Sequence, residues 1–304
     1  MRRTEERNPR SKGIDQKSPE EILRIINAED RTVPMAVAEA IPDIAEGVEA
    51  IAETVRSGGR VFFLGAGTSG RLGVLEAAEI PPTFGVSPDL FRALVSGGAG
   101  GVFGAIEASE DDEASGGSVL ADHDFSGKDL LIAISASGRT PFDLGAMRRA
   151  RSLGARLVAV TNNLGSQMGG LADVSIVVDT GPEVISGSTR MKAGTAQKMV
   201  LNMLTTAAMT RLGRVHDGYM IGVQASNVKL RGRAARIVGE IAGVRPEEAM
   251  EALEEANWDL KTAVVMIKHG IGRKEAEKVL GDAGGILRRA LKEAHERGLR
   301  GAAG

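Results

Sequence analysis

Five short apolar runs, at residues 61–64, 91–96, 129–135, 156–161 and 174–179, alternate with helical patterns through the middle of this 304-residue chain. Several are apolar nearly throughout instead of alternating, as strands buried on both faces must be. Strand, helix and strand in succession demand right-handed crossovers, so the runs predict an α/β fold: a doubly wound, five-stranded parallel sheet with flanking helices. Aromatic residues make up 3% of the chain, and the core is therefore expected to be built from Ala, Val, Leu, Ile and Met.

The flanks are helical. Ser18-Pro19-Glu20-Glu21 has the pattern of a capping box with proline at the first helical position, which predicts a helix start at residue 19. The amphipathic stretch that follows is expected to break near Pro34 and Pro42 and to stop at Gly58 and Gly59. Long helical patterns cover residues 195–212 and 224–242. From Val244 the chain turns to four short charged helical segments, at 245–257, 259–270, 273–285 and 286–298. Each is too short to be stable alone, and together they predict a small bundle. The expected organisation is an α/β domain with an N-terminal helical arm over residues 1–243 and a helical bundle over 244–304.

Charge and composition exclude several function classes. The formal net charge is −2, and the one basic cluster is the short run at 231–236, so no nucleic-acid footprint is expected. The chain has no cysteine, and its four histidines (His123, His216, His269, His295) are scattered, which argues against a metal site. No apolar stretch reaches the roughly 18 residues that a membrane span needs. The opening "MRRTEERNPRSKG" is charged without an apolar centre, unlike a secretory signal. A cytoplasmic protein acting on a small molecule is the expectation.

The chemistry concentrates in three glycine- and hydroxyl-rich loops. "GAGTSG" (residues 65–70) follows the first strand and has the spacing of a dinucleotide fingerprint, G-x-G-x-x-G. That fingerprint needs an acidic residue at the end of the second strand, and here the strand ends in Ser96-Gly97-Gly98. The helix opened by the loop is expected to be cut short at Pro81-Pro82. Thr68 and Ser69 place hydroxyls beside backbone N–H groups at a helix start, which suits a terminal phosphate. "SASGRT" (residues 135–140) repeats that chemistry after the third strand, and "SGSTRMKAGT" (residues 186–195) follows the fifth. All three fall at the carboxyl ends of strands, where doubly wound sheets bind ligands. The candidate phosphosugar- and phosphate-binding residues are Gly67, Thr68, Ser69, Gly70, Ser135, Ser137, Gly138, Thr140, Ser188 and Lys192. For Arg190 and Lys192 two roles stand open, meeting a phosphate or carboxylate and bridging subunits.

The loop around S-x-S-G-x-T resembles the SIS (sugar isomerase) domain, which holds phosphosugars. "TEERNP" (4–9), "INAEDRTVPMAV" (26–37), "GAGTSGRLGVLEAAEIPPTFG" (65–85), "SASGRTP" (135–141), "GSTRMKAGTAQKMVLNMLTT" (187–206) and "ASNVKL" (225–230) together resemble the N-acetylmuramic acid 6-phosphate etherase family. The resemblance implies cleavage of a lactyl ether by water, releasing D-lactate during cell-wall recycling, in a homodimer without metal or nucleotide cofactor. Glu76 and Ala78 depart from the family pattern, where Asp and Ser are expected. The C-terminal bundle is similar to a small ubiquitin-associated-like fold.

An ether at carbon 3 resists direct hydrolysis, but in the open-chain aldehyde the carbon 2 proton is acidic and the ether oxygen lies β to the carbonyl. Elimination followed by hydration then needs two carboxylates and no metal. The resemblance matches Glu79 and Glu110 to that pair, with Glu79 protonating the lactyl oxygen and Glu110 moving the carbon 2 proton. By itself "EDDE" after Ser109 has the look of a solvated acidic face. Glu107 is the nearest competitor for Glu110. Helix residues 199–209 are expected in the core or a dimer seam. A phosphosugar ketose–aldose isomerase and a non-enzymatic phosphosugar-binding regulator share the loops and stand as alternative readings.

Overall fold

The computed structural model describes residues 3–104, 106–222 and 227–296. The helical arm comprises α1 (Pro19–Asp30), α2 (Val33–Glu39) and α3 (Ile41–Arg56). The α/β stretch runs β1 (Val61–Gly65), α4 (Gly67–Phe84), β2 (Phe91–Val95), α5 (Gly98–Phe103), α6 (Glu107–Glu110), α7 (Glu113–Val119), β3 (Leu130–Ser135), α8 (Pro141–Ser152), β4 (Arg156–Thr161), α9 (Gln167–Leu171) and β5 (Val174–Val177). It is followed by α10 (Lys192–Arg211), the short pair β6 (Val215–His216) and β7 (Tyr219–Met220), and the helices α11 (Val228–Ala242), α12 (Pro246–Glu255), α13 (Leu260–His269), α14 (Arg273–Asp282) and α15 (Leu287–Glu296).

All five expected strands form one parallel sheet in the order β2-β1-β3-β4-β5. Every residue of β1 and β3 is buried, which is why those runs lack polar alternation. Phe62 and Phe63 point to opposite faces of β1, Phe62 meeting Phe125 edge-on at 5.1 Å and Phe63 stacking on Phe91 at 6.1 Å. Burying each such ring contributes about 1.5–3 kcal/mol. In this strand order the connection direction reverses between β1 and β3, and the crevice at their carboxyl ends is the place such a sheet offers a ligand.

The capping box at Ser18 is formed, with Ser18 N–H donating to Glu21 at 2.8 Å. Pro34 and Pro42 occupy first-turn positions of α2 and α3, where a missing N–H costs nothing. Pro81 and Pro82 behave differently from expectation, because α4 runs through both to Phe84. They fall in its final turns, where their fixed φ is helical and only two ladder bonds are lost. The helix ends instead at the left-handed Gly85, whose N–H donates to Pro81 O at 2.9 Å.

The chain divides into two compact units, one of Met1–Ala78 with Pro88–Ala208 and one of Glu79–Ser87 with Met209–Gly304. The second unit has its own core, in which Ala234, Val238, Leu253, Val264 and Leu280 are buried together. The sequence-based boundary at 243 falls on the left-handed glycine that ends α11, and α11 shares that core with the four helices after it. The start of the helical pattern at 224–226, with the first two residues of "ASNVKL", lies outside the described residues. Among the described residues no helix is long and apolar enough to cross a membrane.

Candidate active site

The turn from β1 into α4 supplies donors. Gly70 N–H is satisfied by Ala66 O at 3.1 Å, so the N–H groups of Gly67, Thr68 and Ser69 are left for an outside acceptor at the positive end of a helix. Ser69 is held from behind. Its hydroxyl donates to Gln197 Oε1 at 2.9 Å, Gln197 Nε2 donates to Asn162 Oδ1 at 3.1 Å, and Asn162 Nδ2 donates to Val178 O at 2.9 Å. With its proton directed to Gln197, Ser69 offers the cavity its backbone N–H. Gly70 acts one step back, since a side chain there would stand 2.4 Å from Gly65 O.

The turn from β3 into α8 supplies hydroxyls. Ser135 Oγ lies 2.9 Å from Thr140 Oγ1 and 3.3 Å from Ser137 Oγ, and it accepts the Gly138 N–H at 3.1 Å. Gly138 has φ +63°, and a β-carbon there would meet Ser166 Cβ at 2.4 Å, so the turn admits glycine alone. Thr140 occupies the N-cap position of α8 without a capping side-chain bond, because Pro141 follows it and its hydroxyl turns to Ser135.

These two turns face one cavity of about 210 Å³, completed by Gly187 and Thr189 from the loop before α10. Ser188 lies between them, its N–H bonded to Ile185 O at 2.9 Å. No lysine or arginine lines the cavity among the described residues, so its affinity for an anion comes from N–H dipoles and hydroxyls. Lys192 does not join it. Its side chain is 3% exposed, and its ammonium donates to Glu29 at 2.7 Å. Arg190 is exposed. A larger cavity of about 360 Å³ lies on the β4 and β5 side and shares Ser137.

Two carboxylates line the smaller cavity, Glu110 and Glu5. Glu110 closes α6, and its Oε1 lies 3.2 Å from the position a β-carbon on Gly67 would take. Gly67 has φ +52°, so the start of α4 and the carboxylate meet only because no side chain intervenes. Burial, then the negative charges of Asp111 and Glu107, push the Glu110 carboxyl above its ordinary value, with Arg71 opposing. Glu107 itself is exposed. Behind Glu110, Asp143 is fully buried, and neither of its carboxylate oxygens has a hydrogen-bond partner among the described residues.

Glu79 is exposed and stands twelve residues beyond Gly67 on α4, about 18 Å along the helix axis. Glu76, the departure from the family pattern, is buried and accepts from Lys198 Nζ at 2.7 Å and Thr205 Oγ1 at 2.5 Å. Glu5 is a carboxylate of the cavity that the sequence analysis does not predict, and its one signal in the sequence is its place inside "TEERNP".

A five-stranded parallel sheet of this order, with a hydroxyl-lined turn after β3 at the switch point, is the architecture of an SIS-type domain. The SIS domain model matches residues 119–207, and that of the glucokinase regulatory protein N-terminal SIS domain matches residues 43–151. A phosphoheptose isomerase from Neisseria gonorrhoeae shares the fold alone, with a TM-score of 0.50 and 16% identity over 63% of this chain and 99% of that one. N-acetylmuramic acid 6-phosphate etherase 1 of Bacillus licheniformis is 46% identical over 95% of both chains. The N-acetylmuramic acid 6-phosphate etherase of Symbiobacterium thermophilum is 51% identical over 88% of this chain and 89% of its own. The chain belongs to the N-acetylmuramic acid 6-phosphate etherase family.

Proposed function

We propose that this chain is an enzyme that cleaves the D-lactyl ether of N-acetylmuramic acid 6-phosphate with water, giving N-acetylglucosamine 6-phosphate and D-lactate in peptidoglycan recycling. The observation that carries the reading is a single cavity in which the Ser135, Ser137 and Thr140 hydroxyls and the free N–H groups of α4 stand beside the Glu110 carboxylate. The names of relatives matched over nearly the whole chain support it, and they do not favour the isomerase or regulator readings. The phosphate accepts from the N–H groups of Gly67, Thr68 and Ser69 and from the three hydroxyls.

In the ring-opened aldehyde, Glu110 takes the carbon 2 proton, and the carbonyl stabilises the enolate that forms. The enolate electrons make the carbon 2–carbon 3 double bond as the carbon 3–oxygen bond breaks, and a Glu79 delivers a proton to the departing lactyl oxygen; standing about 18 Å along α4 from Gly67 in its own chain, it comes from the second copy of the homodimer proposed below. Water then adds to carbon 3, returning a proton to Glu79, while Glu110 gives its proton back to carbon 2. Both groups end as they began. A carboxyl raised by burial suits Glu110, which must both take and return a proton.

A homodimer and a cytoplasmic location belong to the same proposal. Met203, 37% exposed on α10, supports an interface on that helix, and light scattering tests it. For the activity, incubation with N-acetylmuramic acid 6-phosphate is expected to release D-lactate, while the unphosphorylated sugar is turned over far less. Absence of D-lactate removes the reading, and equal turnover of the two sugars removes the role given to the loops.

A further inference from the structure

The arm that carries "TEERNP" is fastened to the α/β unit on both sides of Glu5. Arg3 pairs with Asp179. Thr4 is buried, its hydroxyl accepting from Asn163 Nδ2 at 3.2 Å and its carbonyl from Gly187 N–H at 3.2 Å. Ser186 Oγ donates to Glu5 O at 2.9 Å, and Asn8 Nδ2 donates to Pro182 O at 3.1 Å and to Glu29 at 2.7 Å. Thr4 and Asn8 are thus tied down by their side chains, and Glu5 by its backbone. The Glu5 carboxylate is left over, exposed and lining the cavity, with no hydrogen bond or ion pair among the described residues.

Its position is set as closely as that of Glu110. Glu5 Oε2 lies 3.0 Å from where a β-carbon on Gly187 would stand, and Gly187 has φ +75°. Each carboxylate therefore rests on a left-handed glycine of a loop that lines the cavity. A carboxylate without a cation, on a backbone fastened at the cavity, is a strong acceptor, worth most to a ligand that brings O–H or N–H donors. It repels a phosphate dianion, so it does not serve the phosphate itself.

We propose that Glu5 is a specificity-determining residue that accepts hydrogen bonds from the sugar portion of the phosphosugar, its hydroxyl or acetamido donors, while the loops hold the phosphate. This rests on the phosphosugar reading above. Glu5 thereby separates a phosphosugar from a bare phosphate, which the donor-rich loops hold as well or better without it.

The test is titration of wild-type protein, Glu5→Ala and Glu5→Gln with N-acetylglucosamine 6-phosphate and, separately, with inorganic phosphate. Loss of hydrogen bonds to a charged group predicts that Glu5→Ala weakens the phosphosugar by about 10- to 100-fold. Glu5→Gln, which keeps one acceptor oxygen, is expected to fall between. Inorganic phosphate, relieved of a like charge, is expected to bind as tightly as to wild type or more tightly in both variants, and that binding also reports that the loops remain folded. Parallel weakening of both ligands makes the arm a structural strap and overturns the proposal, as does unchanged phosphosugar binding. In turnover assays Glu5→Ala is expected to raise KM; loss of kcat at constant KM assigns Glu5 to the chemistry and also overturns it. If wild-type protein binds the phosphosugar but releases no D-lactate, the etherase reading falls while the titrations still decide Glu5.

Discussion

Glu110 Oε1 and the α-carbon of Gly67 face each other so closely that a β-carbon on Gly67 would stand 3.2 Å from the carboxylate oxygen. The left-handed φ of +52° at Gly67 aims the first N–H groups of α4 into the cavity and leaves room for the proposed base. Gly67→Ala adds left-handed strain of about 1–2 kcal/mol and displaces Glu110. The expected outcome is a kcat/KM for lactate release lowered at least tenfold with a modest drop in thermal unfolding temperature. Native activity in that variant removes Glu110 from the position assigned to it.

The two proposed carboxylates are expected to fail at different steps. Glu79→Gln should block lactate release yet allow solvent deuterium to enter carbon 2 of the bound sugar, because enolate formation precedes departure of the lactyl group. Glu110→Gln should suppress both. Each loss is expected at about 10²–10⁴-fold in rate, within reach of NMR on the sugar proton. Exchange surviving only in Glu110→Gln exchanges the two roles, and near-native lactate release in both variants moves the chemistry to other groups.

Lys192 is expected to act on stability, since its ammonium is buried against Glu29. Burial alone raises the Glu29 carboxyl, but hydrogen bonds from Lys192, Asn8 and Arg10 outweigh it and hold the carboxyl below its ordinary value. A lowered carboxylate contributes stability that is present above the unfolded value near pH 4 and lost as pH falls through the folded one. Lys192→Met removes the buried one of the two cations on Glu29 and leaves Arg10, and a loss of about 1.5–3 kcal/mol at pH 7 is expected. Urea denaturation at pH 7 and pH 4 should show the gap between variant and wild type narrowing in acid. An unchanged stability with a raised KM returns Lys192 to the phosphate.

Asp143 has the opposite sign. Burial, then the charge of Glu110, push its carboxyl well above the ordinary value. Native protein keeps a proton that the unfolded chain releases above about pH 4, so stability is full below that value and declines as pH rises toward the folded one. Asp143→Asn removes the proton linkage while keeping the shape. Its stability relative to wild type, from urea denaturation, is expected to improve as pH rises above about 4 toward the folded value. A pH-independent difference means that Asp143 is not held protonated.

The strands, the capping box at Ser18 and the glycine- and hydroxyl-rich turns after β1, β3 and β5 were legible in the sequence, because each depends on residues adjacent in the chain. An apolar run in β3 needs only its own side chains to declare a strand buried on both faces, and Ser135-Ala136-Ser137-Gly138 carries its turn within four residues. The passage of α4 through Pro81 and Pro82 was not legible, since tolerance of a proline depends on how near the helix is to its end. Nor were the destinations of polar side chains. Ser69 finds Gln197 across 128 residues, and Lys192 finds Glu29 across 163. Glu5 reaches the cavity because Thr4, Ser186 and Gly187 fasten its backbone there. Local pattern determined which elements form and which turns carry hydroxyls at a helix start; tertiary packing alone decided which charges meet, because a buried charge settles on the partner that the fold brings within about 3 Å and not on a neighbour in sequence.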